Sequence, residues 1–290
     1  MKKILFFVGV GVAALTLVSG AALAFGPNGP GGPEHGGRGE VMMKKMMEQR
    51  LDEALAAASA APAQRAAIHQ IAERVFATIG GARHEGVGQR PDPLAIFEQD
   101  KIDRAKLTEM RAEHATVAEK VGDVVVGALK ETHDLFTHAQ RQALVGFVSS
   151  QLQAHAGNRH HEMHQMMQKH LDEALAVANL TPQQKALVDA SRANVRAALE
   201  GAMPGEADHV EAMKLFVADR WDEAGIAQLR AHKMTAMLKA ADAVQQSITE
   251  VHDALSPEQR QAVAGYLRAQ RAKHEQRMHE HFHGEGGPRE

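Results

Sequence analysis

Four short stretches punctuate a chain that otherwise favours helix throughout. They are Ala60-Ala61-Pro62-Ala63-Gln64, Phe136-Thr137-His138-Ala139-Gln140, Leu180-Thr181-Pro182-Gln183-Gln184 and Leu255-Ser256-Pro257-Glu258-Gln259. Each reads as the start of a helix. Thr181 or Ser256 stands at the N-cap, where its hydroxyl accepts a backbone N–H of the new helix. Proline follows at the first helical position, where a missing N–H costs nothing. Gln184 or Gln259 falls two residues further on, where its amide reaches back to the cap residue's own N–H, completing a capping box. Lys185 and Arg260 hold the next position, so Leu180 and Leu255 have no apolar staple partner there and must pack elsewhere. A chain cut into helices at four such points has little option but an all-α fold. Composition agrees: Ala, Gln, Glu, Lys, Arg and Met are plentiful and aromatics make up 4%, which disfavours strands.

The four turns form two pairs, because the sequence repeats. Leu51-Asp52-Glu53-Ala54-Leu55 returns as Leu171-Asp172-Glu173-Ala174-Leu175, 120 residues on. At an offset of 119, Phe97, Asp100, Asp103, Glu131, His133 and Asp134 return as Phe216, Asp219, Asp222, Glu250, His252 and Asp253, and Gln140-Arg141-Gln142-Ala143 is identical to Gln259-Arg260-Gln261-Ala262. The expected organisation is a tandem duplication of one four-helix unit, over 41–157 and 158–283. Before it lie a signal peptide (1–24) and a Gly/Pro-rich disordered tail (25–40), and after it a short disordered tail (284–290). Met1-Lys2-Lys3, the apolar run from Ile4 to Val18 and the small-x-small site Ala22-Leu23-Ala24 carry the signal-peptide reading. Export to the periplasm follows, with no membrane insertion after cleavage.

Within a unit the expected order is helix, turn, helix, short piece, long helix, turn, helix. Gly80-Gly81 is expected to stop the second helix, with loop up to Pro93 and a short helical piece over 94–102. Asp103 is expected to cap the long helix. Its heptad seam reads Leu107, Met110, His114, Val117, Val121, Val124 and Ala128, and its counterpart reads Met234, Met237, Ala241, Val244, Ile248, Val251 and Leu255.

These motifs, with the leader, resemble the Spy/CpxP family of periplasmic proteins, which includes ATP-independent chaperones, a regulator of a sensor kinase and the metal-binding ZraP and CnrX types. The resemblance covers about residues 41–283, twice over. Ala61 and His138 depart from the pattern, where Thr and Pro are expected. The resemblance implies two fused units with long antiparallel helices forming an intramolecular pseudo-dimer, a thin curved cradle. It implies a chaperone or envelope-stress protein that binds unfolded or partly folded clients, with a heavy-metal-binding or metal-sensing protein, or a partner of a sensor kinase's periplasmic domain, as alternatives.

The remaining residues fit that frame. Gln64, Thr137, Gln140, Leu180, Thr181, Gln184, Leu255, Ser256 and Gln259 carry the turns and have a structural role. Met43, Met46, Met47, Met163, Met166 and Met167 recur three and four apart. They suit a packing stripe, adaptable contact with apolar clients, or thioether ligation of Cu(I). His160/His164 and His279/His283 are each four apart, the spacing at which two imidazoles on one helix chelate Zn, Ni, Co or Cu. No cofactor is required by the chaperone reading. His133 and His252 lie near the C-terminus of a long helix, where a charged ring is favoured by the dipole. Asp134 and Asp253, adjacent in sequence, are not expected to face those rings. There is no Cys, which excludes thiolate sites and disulfides. No nucleophile elbow or phosphate-cradling loop is present, so no enzyme is expected. Net charge is −3, or −5 without Lys2 and Lys3, which does not suit a nucleic-acid binder.

Overall fold

The computed structural model describes residues 36–84, 92–156 and 169–283. Among them there is no strand. The helices are α1 (Gly36–Ala57), α2 (Pro62–His84), α3 (Pro93–Glu98), α4 (Arg104–Leu135), α5 (His138–Ala156), α6 (169–176), α7 (Pro182–Ala202), α8 (Glu206–Val217), α9 (Glu223–Ala254) and α10 (Pro257–His283). Residues 1–24, read as the leader, lie outside the described residues. Helix α1 begins inside the stretch read as tail. Among the described residues, no helix is long and apolar enough to cross a membrane.

Helix starts follow local chemistry. Asp92 Oδ1 accepts from Leu94 N at 3.1 Å, Asp103 Oδ1 from Lys106 N at 2.9 Å and Asp222 Oδ1 from Gly225 N at 2.9 Å. Each satisfies one orphan donor of a first turn. Helix α2 does not stop at Gly80-Gly81 but runs on to His84. A glycine costs a helix about 1 kcal/mol relative to alanine. Ala82, beyond both glycines, is 6% exposed, so packing of that last turn offsets the loss.

Two compact units divide the chain, and each draws on both halves of the sequence. The first takes α1, α2, α4 from Thr108, α5, the end of α7, α8 and α9 as far as Asp242. The second takes α3, the start of α4, α6, α7 to Arg196, α9 from Ala243 and α10. Short helix α3 thus lies in the first half of the sequence but packs in the second unit, against α10; α8 lies in the second half but packs in the first unit, against α5.

In the first unit, Val125, Leu129, Ala212, Leu215, Phe216 and Ile226 form one buried cluster. Leu51, Leu55, Ala60, Ile68, Ile71, Ala72, Ala128 and Phe136 form another. The smaller core of the second unit is built on Ala174, Ala178 and Val263, with Phe97, Leu180, Tyr266 and Leu267 against it. Leu180 finds its packing there, and Leu255 is buried at 3% exposure.

The heptad seam of α4 has the expected period but a different phase. Its buried positions are Ala118, Gly122, Val125, Ala128, Leu129, Thr132 and His133, largely one residue on from Val117, Val121 and Val124. Gly122 lies on that face. A Cβ there would stand 3.2 Å from the Arg230 guanidinium, which bonds Glu119 O at 2.9 Å and pairs with Asp123. The small residue lets this partner approach closely; a Cβ there would require the guanidinium to give by a few tenths of an ångström. On α9, Met237 is buried as expected, but Ile248 is exposed while Ala240, Thr249 and His252 are buried.

Two helix ends use the left-handed region. Ser59 has φ 50° and Asn179 φ 49°. Ser59 N bonds Ala56 O at 3.0 Å and Ala60 N bonds Leu55 O at 2.9 Å, which is a Schellman ending of α1. A residue with a Cβ is disfavoured there by roughly 1–2 kcal/mol, a strain glycine lacks. Ser59→Gly is therefore expected to raise the stability of the first unit by about 1 kcal/mol, read from the urea midpoint. A lowered midpoint would show that the Ser59 side chain contributes more than the strain costs.

Candidate functional site

The turn glutamines do more than close their own capping boxes. In the second unit, Gln184 Oε1 accepts from Thr181 N at 2.9 Å, and Gln184 N donates to Thr181 Oγ1 at 3.2 Å. Ser256 and Gln259 repeat this, at 2.9 and 3.3 Å. The two amides then meet. Gln184 Nε2 donates to Gln259 Oε1 at 2.8 Å, and Gln259 Nε2 donates to Gln184 Oε1 at 3.0 Å. Each Nε2 has a second hydrogen, and each spends it on the end of a helix leading into the other turn. Gln184 donates to Ala254 O at 2.7 Å and Gln259 to Ala178 O at 3.1 Å. Both donors and both lone pairs of each amide are used.

The first unit contains the same arrangement. Gln64 and Gln140 pair reciprocally at 3.1 and 3.0 Å, with Gln64 Nε2 on Leu135 O at 2.7 Å. Gln140 Nε2 reaches Ser59 O at 3.5 Å, while Ala61 N and Thr137 N supply the backbone donors at 2.9 and 3.0 Å. Ala61 has no hydroxyl, so Gln64 N lacks the return bond that Thr181 and Ser256 give. This clasp holds α1–α2 against α4–α5, and α6–α7 against α9–α10. The capping half of it was legible in sequence. The pairing across turns is not legible there, although the recurrence of Gln at all four turns is its signal.

Beside each clasp lies a second polar device. His133 is 3% exposed and its Nε2 donates to Ala218 O at 2.9 Å. Its Nδ1 faces Asp134 Oδ1 at 3.0 Å. The adjacent carboxylate therefore does reach the ring, contrary to expectation: Nδ1 lies close to the residue's own backbone, so the next side chain can fold back to it. That hydrogen bond is the main reason the Asp134 carboxyl titrates below the usual carboxylate range. The ring lies edge-on to Phe216 and Trp221, at 6.2 and 5.5 Å. Arg141, 5% exposed, donates to His133 O at 3.2 Å, Phe136 O at 2.7 Å, Val217 O at 3.5 Å and Ala218 O at 2.9 Å. It thus caps the C-terminus of α4 and seizes the C-terminus of α8 with one guanidinium.

In the second unit His252 takes the same part. Its Nδ1 faces Asp253 Oδ1 at 3.0 Å, its Nε2 donates to Gln99 O at 2.8 Å and Phe97 lies edge-on at 5.9 Å. Asp253 is lowered in the same way as Asp134, first by His252. Arg260 donates to His252 O at 3.4 Å and Leu255 O at 2.8 Å. The two His rings dock the two short helices; Arg141 joins His133 on the end of α8, whereas Arg260 reaches only the Asp100 carboxylate beyond α3, at 3.7 Å. All four residues recur 119 positions apart, yet nothing local in the sequence shows what they hold.

Of the other expected positions, Met46 and Met47 are half-buried on α1. Only the helical backbone of Met43, His279 and His283 is described, and His160, His164, Met163, Met166 and Met167 lie outside the described residues. Among the described residues no three His, Asp or Glu side chains converge as a metal site. Large apolar side chains are exposed in both units: Leu135, Met203, Val210 and Leu238 in the first, and Leu171, Val177, Leu187 and Ile248 in the second.

Residues 166–265 match the family described as LTXXQ motif family protein. No curated protein and no solved structure matches the chain. The matched stretch contains Leu180-Thr181-Pro182-Gln183-Gln184, its clasp partner Gln259, and both His252 and Arg260. Residues 166–265 therefore carry the LTXXQ family signature, which is of the Spy/CpxP type.

Proposed function

We propose that this protein is a periplasmic, ATP-independent chaperone of the envelope-stress type. The observation that carries the reading is the set of exposed aliphatic side chains on helices of a chain with the LTXXQ signature, with Val210 at 58% exposure the most open. Such residues bind apolar segments of unfolded clients weakly, by area removed from water. Charged neighbours keep the same surface wetted. On α7, Leu187 lies between Lys185 and Asp189, which pair at 2.7 Å. On α8, exposed Val210 adjoins Glu211, which pairs with Lys214 at 3.5 Å. A client held by scattered methyl groups among charges keeps room to fold. Release follows from low affinity and fast exchange, as ATP is absent from that compartment.

The clasps serve this role indirectly. They fix the helix ends that bear the exposed residues and take no part in binding. At a stoichiometric ratio and without ATP, the protein is expected to suppress most of the aggregation of a chemically denatured test protein, followed by light scattering. Undiminished scattering at several-fold excess would sink the reading.

A further inference from the structure

Both short helices are docked by a buried His, but they are held in different ways. Helix α8 buries Ala212, Leu215 and Phe216 in an apolar cluster, and a buried Lys233 pairs with Asp208 in its first turn. Helix α3 buries Ile96 alone. Beyond Phe97 on the apolar cluster and the His252–Gln99 bond, its attachments are ion pairs, half-buried at Glu98 and open at Asp100. Arg268 of α10 donates to the two Glu98 oxygens at 2.5 and 2.6 Å, and lies 3.4 Å from Asp92. Arg260 Nη2 is 3.7 Å from Asp100, a side chain 92% exposed. Exposed ion pairs contribute little and are screened by salt, the bidentate Arg268–Glu98 pair less so than the others. Local opening of α3 is therefore easy compared with opening of α8.

What α3 covers is a face of defined chemistry. Phe97 packs on the cluster of Ala174, Ala178 and Val263, beside Tyr266 and Leu267. Around it stand Arg260, Arg268 and the Nε2–H of His252, all donors. We propose that this seat on α10 is a docking groove for short acidic client segments carrying an aliphatic–aromatic pair, and that α3 fills it as a built-in stand-in. The occupant's chemistry is written in α3 itself: Ile96-Phe97 flanked by Asp92, Glu98 and Asp100. The proposal rests on the chaperone reading, since it names a class of client. A protein whose groove is filled by its own segment has an apparent affinity reduced by the open fraction, so weakening the lid strengthens binding.

The test is fluorescence anisotropy with a labelled peptide of residues 92–100 and the full chain. A lid variant, Ile96→Ser with Phe97→Ser and Glu98→Ser, leaves the groove untouched. It is expected to bind the peptide about 10-fold more tightly than the parent, if the lid is closed roughly nine-tenths of the time. Adding Arg268→Glu to the lid variant is expected to abolish that binding, as is a peptide with its three carboxylates replaced by amides. Glu98→Gln alone, which keeps Ile96 and Phe97, is expected to give a smaller gain in the same direction. Circular dichroism melts verify that each variant is folded. Equal affinity in parent, Glu98→Gln and lid variant, or binding indifferent to Arg268→Glu, overturns the groove. Peptide binding with the expected pattern sustains the groove even where aggregation is not suppressed. Suppression of aggregation without peptide binding overturns the groove and leaves the chaperone reading standing.

Discussion

Replacing Arg141 by Met should destabilise the first unit by on the order of 3–5 kcal/mol. The Arg141 guanidinium serves four carbonyl oxygens: His133 and Phe136 at the end of α4, Val217 and Ala218 at the end of α8. Bonds to a charged donor contribute about 1.5–3 kcal/mol each, and they are not additive. Methionine fills much of the volume but leaves all four acceptors without that donor, beside the negative end of a helix dipole. Arg141→Lys should recover only part of the loss, because one ammonium cannot span two helix ends with a planar fork. Urea melts followed by circular dichroism would measure this. A loss under about 1 kcal/mol would mean that water replaces the guanidinium at little cost. Tryptophan fluorescence adds a local report, since Trp221, the sole tryptophan, lies 5.5 Å from the ring of His133.

Gln184→Ala should cost about 2–3 kcal/mol. It removes a backbone acceptor bond, a donation to Ala254 O and both links to Gln259. It also leaves the Gln259 amide half-satisfied in a partly buried setting. Gln184→Ala and Gln259→Ala together should cost less than the sum of the single changes, by about 0.5–3 kcal/mol, the range for residues sharing one network. Strict additivity in a double-mutant cycle would show that the pairing across turns contributes nothing and that each Gln merely caps its own helix. The first unit supplies a comparison. Gln64→Ala should cost about as much, because it removes the equivalent set of bonds, from Ala61 N, to Leu135 O and both links to Gln140.

These two sites show where sequence reasoning reached and where it stopped. Thr181, Gln184, Ser256 and Gln259 were legible as caps because a capping box spans four residues. The amide pair joins residues 75 positions apart in one unit and 76 in the other. Nothing in local periodicity points across that distance. His133 and His252 were legible as residues near a helix end. Their acceptors, Ala218 and Gln99, are 85 and 153 positions away, and the adjacent carboxylates turned back to the rings against expectation. Gly80-Gly81 read as a stop because glycine is a poor helix former. The burial of Ala82 decided otherwise.

The amino-acid sequence by itself determined that the chain is helical and where its helices turn, because caps, prolines and left-handed endings act over a single turn of backbone. It also carried the LTXXQ signature of the second half, which is a matter of local motif and spacing. Only the tertiary structure decided which face of α4 is buried, since that depends on the apolar residues of α8 and α9 that pack on Val125 and Leu129. Only it decided that α3 joins the second unit and α8 the first. A short helix has too little surface of its own to choose a place. Its position is set by the distant His, Arg and apolar groups that receive it.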